Sequence, residues 1–448
     1  MSWQNKHESN GRVSRKHLAE SVTVSWQERY PLVMAADRYL PRLVDPQLVD
    51  LLSQLPAVLV TGPRAAGKTT TARQHARTVI RLDRPAERDA MAADPDAVIR
   101  GLPGPLLIDE WQVVPDVLGA VKRSVDDNRT PGRFILTGSV DAELDTTSWP
   151  GTGRIVRVAL HGMTVSEQLG AARLTPSFLS AVQLDDAEAL QTPADVPDLL
   201  GYLELASRSG FPEPALHLVD RARQAWFESY LEHSVARDIP DLGEQRDPVR
   251  LARFLEVLAL NSAGTPTDTT LLTAASLDRR TTVAYERVLE RLFMIHRLPA
   301  WTAHRLNRLT RAPKRFIADP ALMLTAAQLQ INDLLRSGDL LGRFIETFVI
   351  AQLRAEFAAG ERPARMFHLR DRDGNHEIDV IIEIGAGRLV AIEIKAKASV
   401  ALADARHLRW LRDQLGPAFV AGVVLHTGPR AFRLDERVLA LPLWSLWS

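Results

Sequence analysis

The sequence contains no cysteine among its 448 residues. Disulfide bonds and zinc sites with thiolate ligands are therefore excluded, and the composition suits a reducing compartment. Long apolar runs are missing too: none approaches the ~18–20 residues that a membrane-spanning helix needs, and the N-terminus lacks the apolar segment of a signal peptide. From these absences we expect a cytoplasmic protein without a membrane partner.

Net charge is also absent, because 55 Lys and Arg residues balance 55 Asp and Glu residues. Such a chain is not a polycation, so any surface that binds nucleic acid must be a local patch. Apolar residues make up 46% and charged residues 25% of the chain, which is ordinary for a globular protein. The length predicts two to four domains.

The most informative stretch is Gly62 to Thr70. It follows Ala57 to Thr61, a short apolar run typical of a buried parallel strand. It fits G-x-x-x-x-G-K-[ST], the phosphate-binding loop, and a helix pattern begins directly after it. Backbone N–H groups and the positive helix end would surround a polyphosphate, with Lys68 on its β- and γ-phosphates and Thr69 on Mg²⁺. A simple glycine turn is the alternative, but packing gives no reason for Lys-Thr at this offset. The residues predicted to bind ATP here are Gly62, Pro63, Arg64, Ala65, Ala66, Gly67, Lys68, Thr69 and Thr70.

A second apolar run, Leu106 to Glu110, ends in two carboxylates and matches the Walker B pattern. The carboxyl edge of a parallel sheet is where such sheets bind ligands. Asp109 would hold Mg²⁺, directly or through water, and Glu110 would orient and deprotonate the attacking water. Two acids at a strand end are common by themselves, but their position after a phosphate-binding loop favours this interpretation.

A further strand pattern, Arg133 to Ser139, closes on small polar residues. We expect Thr137 or Ser139 to sense the γ-phosphate, as residues at this place do in AAA-type ATPases. Arg154 follows in a glycine-rich segment. It would act on the γ-phosphate of its own chain, reach a neighbouring subunit as an arginine finger, or be an ordinary surface arginine.

Two strand patterns joined by a glycine turn lie near the C-terminus. Because strand side chains alternate, Glu393 and Lys395 share one face, and Asp379 can face them from the neighbouring strand. This is the PD-(D/E)xK arrangement of nucleases, and Glu346 on a preceding helix pattern matches an acid often found with it.

The residue types of this C-terminal set suit magnesium chemistry. Asp379, Glu393 and Glu346 are hard oxygen ligands for Mg²⁺, and Lys395 would position or activate a water molecule. Two alternatives stay open. One is a solvent-facing hairpin whose charges pair across strands, and the other is a fold that binds DNA without cutting it.

Three short helix patterns between these regions, Leu251–Asn261, Thr267–Ala275 and Thr281–Phe293, suggest a winged helix with the third in the recognition position. Residues 291–318 then carry seven Lys or Arg residues and no acid. Such a strip can contact a phosphate backbone, although a solvated face or a protein contact would look the same. The residues predicted to contact nucleic acid are Arg279, Arg280, Arg305, Arg308, Arg311, Lys314 and Arg315.

Together these motifs resemble the prokaryotic AAA-type ATPases with a C-terminal DUF4143 region. The similarity runs through Gly-Pro-Arg-x-x-Gly-Lys-Thr-Thr, Leu-Leu-Ile-Asp-Glu-Trp-Gln, Pro-Gly-Arg-Phe-Ile-Leu-Thr-Gly-Ser and Gly-Phe-Pro-Glu, from about Tyr39 to the end of the chain. Trp111 departs from the isoleucine or valine more usual there. The resemblance implies a winged helix in the middle of the chain and a nuclease-like C-terminal domain. Rings are frequent among AAA-type ATPases but not obligatory, so a homo-oligomer is one possible state.

We therefore predict an α/β protein with an AAA-type P-loop parallel sheet, a helical winged-helix middle and a restriction-endonuclease-like C-terminal domain. Its predicted parts are a disordered tail (1–30), the ATPase domain (31–170), a helical lid or linker (171–245), the winged helix (246–335) and the nuclease-like domain (336–448). The expected function is ATP hydrolysis with Mg²⁺, coupled to binding or acting on DNA. The alternative is a nucleotide-dependent switch or scaffold that controls a protein partner and keeps a silent nuclease-like domain.

Overall fold

A computed structural model of the chain describes residues 39–138, 153–172, 178–183, 195–236, 247–302, 311–360, 364–371, 375–385 and 387–447. The predicted tail, residues 1–30, lies outside these ranges. None of the helices within them combines the length and the hydropathy that crossing a bilayer requires.

The N-terminal part is built on a five-stranded parallel sheet with the order β2-β3-β4-β1-β5. Its central strands are buried along their whole length, as expected of a parallel sheet covered on both faces. The strands are β1 Ala57–Thr61, β2 Thr78–Arg81, β3 Leu106–Asp109, β4 Phe134–Gly138 and β5 Ile155–Ala159.

Helices cover both faces of this sheet. Alternate residues of β1 enter different apolar clusters: Ala57 and Leu59 pack into one, Val58 and Val60 into the other. This alternation is the pleat of a strand with two covered faces. The helices of this part are α1 Asp45–Gln54, α2 Lys68–Gln74, α3 Pro85–Ala93, α4 Pro95–Ile99 and α5 Val117–Asp127.

The middle of the chain is helical and contains one hairpin. Several of its helices begin at side-chain caps. Asp247, Thr267 and Asp278, for example, each accept a hydrogen bond from a backbone N–H of the following turn, which satisfies donors that a helix start leaves open. The helices are α6 Val165–Gln168, α7 Phe178–Gln183, α8 Leu199–Ser207, α9 Pro212–Leu216, α10 Asp220–Ala236, α11 Pro248–Leu260, α12 Asp268–Ala275, α13 Arg279–Arg291, α14 Pro320–Ala326 and α15 Ile331–Arg336. The hairpin pairs β6 Ile295–Leu298 with β7 Lys314–Ile317, antiparallel.

A long helix, α16 Gly338–Ala359, leads into a six-stranded mixed sheet with the order β12-β13-β11-β10-β9-β8. Strand β10 pairs antiparallel with β9 and parallel with β11. The elements of this part are β8 Arg365–Arg370, β9 Glu377–Glu383, β10 Leu389–Lys395, α17 Arg406–Leu415, β11 Phe419–His426, β12 Phe432–Asp435 and β13 Val438–Pro442.

One apolar core joins the middle of the chain to the C-terminal sheet. Phe254 of α11, Phe344 of α16 and Ile392 of β10 belong to the same cluster of buried side chains. At its far end the backbone N–H of Trp444 donates to the hydroxyl of Tyr202, at 3.3 Å. This shared core crosses the limit predicted at residues 335 and 336, and it places the hairpin β6–β7 beside the C-terminal sheet.

Candidate functional site

The backbone of the loop between β1 and α2 requires glycine at two places. Gly62 has a φ of 157°, and a Cβ atom there would lie 2.1 Å from the carbonyl oxygen of Leu160. Gly67, immediately before α2, has a left-handed φ of 91°. Only glycine adopts such conformations without strain, so the loop is shaped by the two glycines of the sequence pattern.

Lys68 folds back over this loop. Its side chain is buried, and Nζ donates to the carbonyl oxygens of Gly62 (3.1 Å) and Pro63 (2.7 Å). Burial lowers the pKa of Lys68 to about 8, although the charges of Glu110 and Asp109 oppose that shift. The ammonium is thus still mainly protonated at neutral pH, and a phosphate oxygen would be a stronger acceptor for it than the two carbonyls.

Asp109 is held by two hydroxyl groups at the carboxyl edge of the parallel sheet. Thr69 donates to its Oδ1 at 2.7 Å, and Thr137, its neighbour in the β3–β4 register, donates to the same oxygen. Asp109 is only 3% exposed. The hydroxyl of Thr69 and the carboxylate are hard oxygen donors, so they fit a Mg²⁺ ion.

Thr137 therefore contacts Asp109 directly, and its predicted role as a γ-phosphate sensor stays a prediction. Ser139, the other candidate sensor, lies outside the described residues. The exposed tip of the loop is formed by Arg64 and Ala65.

Glu110 follows β3 in an unusual backbone conformation, with φ 57° and ψ 48°. This left-handed region is uncommon for residues other than glycine and often marks a functional site. Its carboxylate accepts a hydrogen bond from the side-chain amide of Gln112. The turn and Gln112 thus set the direction of Glu110, a detail that the acidic pair alone does not predict.

Arg42 is a residue of this site that sequence reasoning missed. Its side chain is 4% exposed and donates to the carbonyl oxygens of Ala66 (2.9 Å) and His161 (2.8 Å) and to Glu167 Oε1 (3.0 Å). Glu167 also accepts from the backbone N–H of Leu43 at 2.6 Å. Arg42 thus clamps the phosphate-binding loop from outside, and no local pattern predicts its carboxylate partner 125 residues away.

Arg154 lies at the opposite edge of the sheet from the loop. It immediately precedes β5, which runs parallel to β1, whereas the loop follows the carboxyl end of β1. Its guanidinium pairs with Asp126 on the surface, at 2.9 Å. This placement does not support a contact with nucleotide in the same chain, and a role as a finger in a neighbouring subunit stays a prediction.

A second group of charged side chains lies in the C-terminal sheet, on neighbouring antiparallel strands. Asp379 of β9 accepts a hydrogen bond from the backbone N–H of Ile394 at 2.9 Å. On β10, Lys395 donates to Glu393 at 2.8 Å, and Glu393 is only 2% exposed. Because Glu393 is buried, the alternative of a solvent-facing hairpin does not hold for this residue.

Lys314 of β7 enters this group and corrects one prediction. Its Nζ lies 2.9 Å from Glu346, 3.1 Å from Asp379 and 3.5 Å from Glu377. Burial alone would lower the pKa of Lys314, but the three carboxylates raise it above its ordinary value. At 1% exposure this ammonium cannot contact a phosphate backbone, so its prediction as a nucleic-acid contact is wrong.

The ammonium of Lys314 lies between carboxylates that the sequence predicted as Mg²⁺ ligands. Two predicted Mg²⁺ ligands, Glu346 and Asp379, face its ammonium, while Glu393 pairs with Lys395. Within the described ranges, no three His, Cys, Asp or Glu side chains are grouped to hold a metal ion. The predicted ligand set of Glu346, Asp379 and Glu393 is therefore not assembled in this conformation.

One atom of this group still suits a cation. Glu393 Oε1 is buried and has no hydrogen-bond partner among the described residues. Burial raises the pKa of Glu393 and of Glu346 above the ordinary glutamate value. Both shifts arise because burial penalises the charged form of each carboxyl group.

The predicted basic strip is smaller than its sequence suggests. Arg315 is buried and pairs with Glu286 (2.7 Å) and Asp268 (2.9 Å), so its prediction as a nucleic-acid contact is also wrong. Arg311 is half-buried and donates to the carbonyl oxygen of Arg370. Arg305 and Arg308 lie outside the described residues. Arg279 and Arg280 are exposed at the start of α13.

We expect Arg42→Met to loosen the loop and to destabilise the protein. Breaking a buried ion pair on one side typically costs about 3–5 kcal/mol, because the remaining charge has no partner. Urea unfolding should show this loss, and the affinity for an ATP analogue should fall with it. The double variant Arg42→Met with Glu167→Gln should recover part of the stability.

Lys122→Met provides the control, since Lys122 forms an exposed pair with Asp126 at 2.9 Å. Such pairs contribute about 0–1 kcal/mol. Equal losses for Arg42→Met and Lys122→Met would contradict the clamp.

Comparison with known proteins agrees with a three-part organisation. Residues 54–169 match the family model "AAA domain", residues 200–333 match a domain of unknown function, DUF8612, and residues 341–446 match another, DUF4143. The resemblance found in the sequence named the AAA-type and DUF4143 regions, and the DUF8612 match adds a family for the middle region.

Similar proteins are found in mycobacteria. An uncharacterized protein of Mycobacterium tuberculosis is 27% identical over 395 residues, covering 87% of this chain and 81% of that protein. An uncharacterized protein of Mycobacterium bovis matches to the same extent. Among solved structures, a Walker-type ATPase of Pyrococcus abyssi has 16% identity and a TM-score of 0.35, covering 63% of this chain and 94% of its own. The chain thus carries an AAA-type P-loop ATPase domain followed by DUF8612 and DUF4143 regions.

Proposed function

We propose that the protein binds ATP with Mg²⁺ and hydrolyses it. The observation that carries this proposal is that the hydroxyls of Thr69 and Thr137 both donate hydrogen bonds to Asp109, directly beside the phosphate-binding loop. It brings the hydroxyl of one motif and the carboxylate of another within hydrogen-bond distance, as a shared Mg²⁺ requires. The AAA domain at residues 54–169 supports the same activity.

The residues divide the work as follows. Backbone N–H groups of the loop and the start of α2 bind the phosphates, and the Lys68 ammonium leaves its carbonyl partners for them. Thr69 and Asp109 would hold Mg²⁺, which when bound offsets the charge of the phosphates. Glu110, directed by its turn and by Gln112, orients the attacking water and accepts its proton.

Glu110→Gln should separate binding from hydrolysis. The amide keeps the hydrogen-bonding shape but accepts no proton, so we expect kcat to fall by about 10²–10⁴-fold. Affinity for a fluorescent ATP analogue should remain within a few-fold of wild type, whereas Lys68→Ala should lose that affinity. Full turnover by the Glu110→Gln protein would move the water-activating role to another residue.

For the C-terminal region we propose a PD-(D/E)xK-like fold whose cation site is closed by Lys314. Asp379 and the pair Glu393–Lys395 on adjacent strands, with Glu346 on the preceding long helix, support the fold. The ammonium among the acids favours the alternative function, in which the nuclease-like domain is silent and the protein is a nucleotide-dependent switch. Opening would require β7 to move away from β9.

Lys314→Met tests this closure. Without the ammonium, Glu346 and Asp379 are left buried and unbalanced, and this should cost about 3–5 kcal/mol of stability. A divalent cation should then take the position, so Mn²⁺ should bind the variant more tightly than wild type and raise its unfolding temperature. Electron paramagnetic resonance of Mn²⁺ and thermal unfolding measure the two effects.

Lys122→Met again serves as the control, because it removes a lysine from a surface pair far from the sheet. A Lys314→Met protein that gains no affinity for Mn²⁺ over wild type would show that the acids form no latent cation site. Adding plasmid DNA to the same samples tests whether opening the site permits Mg²⁺-dependent nicking.

We also propose that the middle region contacts DNA as a winged helix. Helices α11, α12 and α13 followed by the antiparallel pair β6–β7 form the required sequence of elements. Arg279 and Arg280 are exposed in the first turn of α13, the recognition position. Their charges add to the positive end of that helix, so this turn supports a contact with DNA phosphates. Arg305 and Arg308 of the predicted strip lie outside the described residues and stay a prediction.

Reversing the charge of both arginines, Arg279→Glu with Arg280→Glu, should weaken DNA binding at all sequences. For each phosphate that is no longer neutralised, the slope of log affinity against log salt should fall by about 0.9, so a total change near 2 is expected. Fluorescence anisotropy with labelled duplex DNA at several salt concentrations measures it. Arg250→Glu with Arg253→Glu on the exposed side of α11 is the matched control, and equal effects in both proteins would remove the recognition role of α13.

A further inference from the structure

A cavity of about 50 Å³ lies where the three regions of the chain meet. Pro63 of the phosphate-binding loop lines it from one side and His161, just after β5, from another. His296 of β6 and Arg354 of α16 close it. Neither nucleotide chemistry nor the carboxylate group in the C-terminal sheet involves these last three side chains.

His296 is buried in this cavity without a polar partner. Its side chain is 8% exposed, and neither ring nitrogen has a hydrogen-bond partner among the described residues. The ring stacks on Phe316 with centroids 5.2 Å apart and planes 8° from parallel. Burying an unpaired polar group costs free energy. The His296 ring can therefore donate a hydrogen bond to a ligand in the cavity.

Arg354 also lacks a carboxylate at ion-pair distance within the described part of the chain. Glu290 is the acid that acts on it electrostatically, but both carboxylate oxygens of Glu290 are bound by Arg297, at 2.6 and 2.7 Å. A half-buried guanidinium without a counter-ion is costly.

Asp319 is the carboxylate in the lining of this cavity, and it is fully used. One oxygen accepts from the backbone N–H groups of Ala321 and Leu322, and the other from Ser209 Oγ and Gly210 N–H, both at 2.8 Å. Among the described residues no ion pair joins it to Arg354, and burial raises its pKa. The cavity presents one cation and two imidazoles, and none of them is paired with an acid from the part of the chain that the structure describes.

The two imidazoles are neutral donors in this setting. Burial lowers the pKa of His161 to about 3 and the pKa of His296 well below its ordinary value, and the charge of Arg354 adds to both shifts. A neutral imidazole still offers one N–H group. Arg354 thus supplies the charge and the two histidines supply hydrogen bonds without adding like-charge repulsion.

We propose that this cavity binds a phosphate-sized oxyanion, held by the Arg354 guanidinium and by N–H groups of His296 and His161. The cavity volume is several times the roughly 10–15 Å³ that one water molecule needs, so it has room for a single tetrahedral anion. Leu205, Phe211 and Phe348 form apolar parts of its wall. This site differs from the proposed ATP site, with which it shares only Pro63, and does not depend on ATP hydrolysis.

The position of the cavity connects its occupant with the rest of the chain. Pro63 belongs to the loop that would hold ATP, and Gln352, two residues before Arg354, accepts a hydrogen bond from the backbone N–H of Val165 at 2.8 Å. The oxyanion would thus bridge the AAA domain, the DUF8612 region and the DUF4143 region. It can come from free orthophosphate or from the phosphate group of a larger monoester.

Calorimetric titration with orthophosphate tests the proposal in the full-length Lys68→Ala protein, in which the ATP site is disabled. Binding should persist there, and Arg354→Met should weaken it by about ten- to a hundredfold, as expected when a charge-assisted hydrogen-bond donor is removed. The phosphate affinity of Arg354→Lys should lie between that of the Lys68→Ala parent and that of Arg354→Met. Arg343→Met on the same helix, whose guanidinium pairs with Asp339 outside the cavity, should leave phosphate affinity unchanged.

His296→Phe is the second variant, because it keeps the stacked ring and removes the imidazole N–H group. It should fold, as judged by circular dichroism, and bind phosphate more weakly. Phenyl phosphate distinguishes the two sources: affinity for orthophosphate alone indicates the free anion, and affinity for both indicates a monoester. No orthophosphate or phenyl phosphate binding by the Lys68→Ala protein, or equal binding after Arg354→Met, would overturn the proposal while leaving ATP hydrolysis untouched.

Discussion

The hydrogen bonds on Asp109 are the constraint around which the N-terminal part is organised. Its Oδ1 accepts hydrogen bonds from the hydroxyls of Thr69 and Thr137. Three segments that are distant in sequence must therefore come together at this oxygen. The parallel register of β3 and β4 and the glycines of the loop make that convergence possible. A polyphosphate then meets a pre-arranged set of donors, which reduces the cost of ordering them on binding.

A second interaction plays the same part in the remainder of the chain. The Lys314 ammonium joins a hairpin of the middle region to acids on α16 and β9. Because this charge is buried, the hairpin cannot shift without leaving several ionised groups unbalanced. The Lys314 ammonium thus helps to fix the middle region against the C-terminal sheet.

Local patterns in the sequence predict the elements well and their long-range partners poorly. The loop, the acidic strand end and the C-terminal strand pair are encoded by neighbouring residues, and the structure has them in the expected order. Arg42 was missed because its carboxylate partner, Glu167, is 125 residues away. Lys314 was misassigned because its partners, Glu346 and Asp379, are 32 and 65 residues away. A lysine in a basic stretch looks solvent-exposed until the sheet that buries it is known. Composition alone therefore made the predicted nucleic-acid surface too large.

The apolar core shared by the middle region and the C-terminal sheet has a consequence for how such proteins can diversify. Phe254, Phe344 and Ile392 come from three different segments and pack as one interior. The C-terminal sheet therefore cannot be exchanged for another fold independently of the middle region. Any replacement would have to pack against the existing apolar surface of the middle region. We therefore expect the two regions to be inherited together and to unfold in one transition.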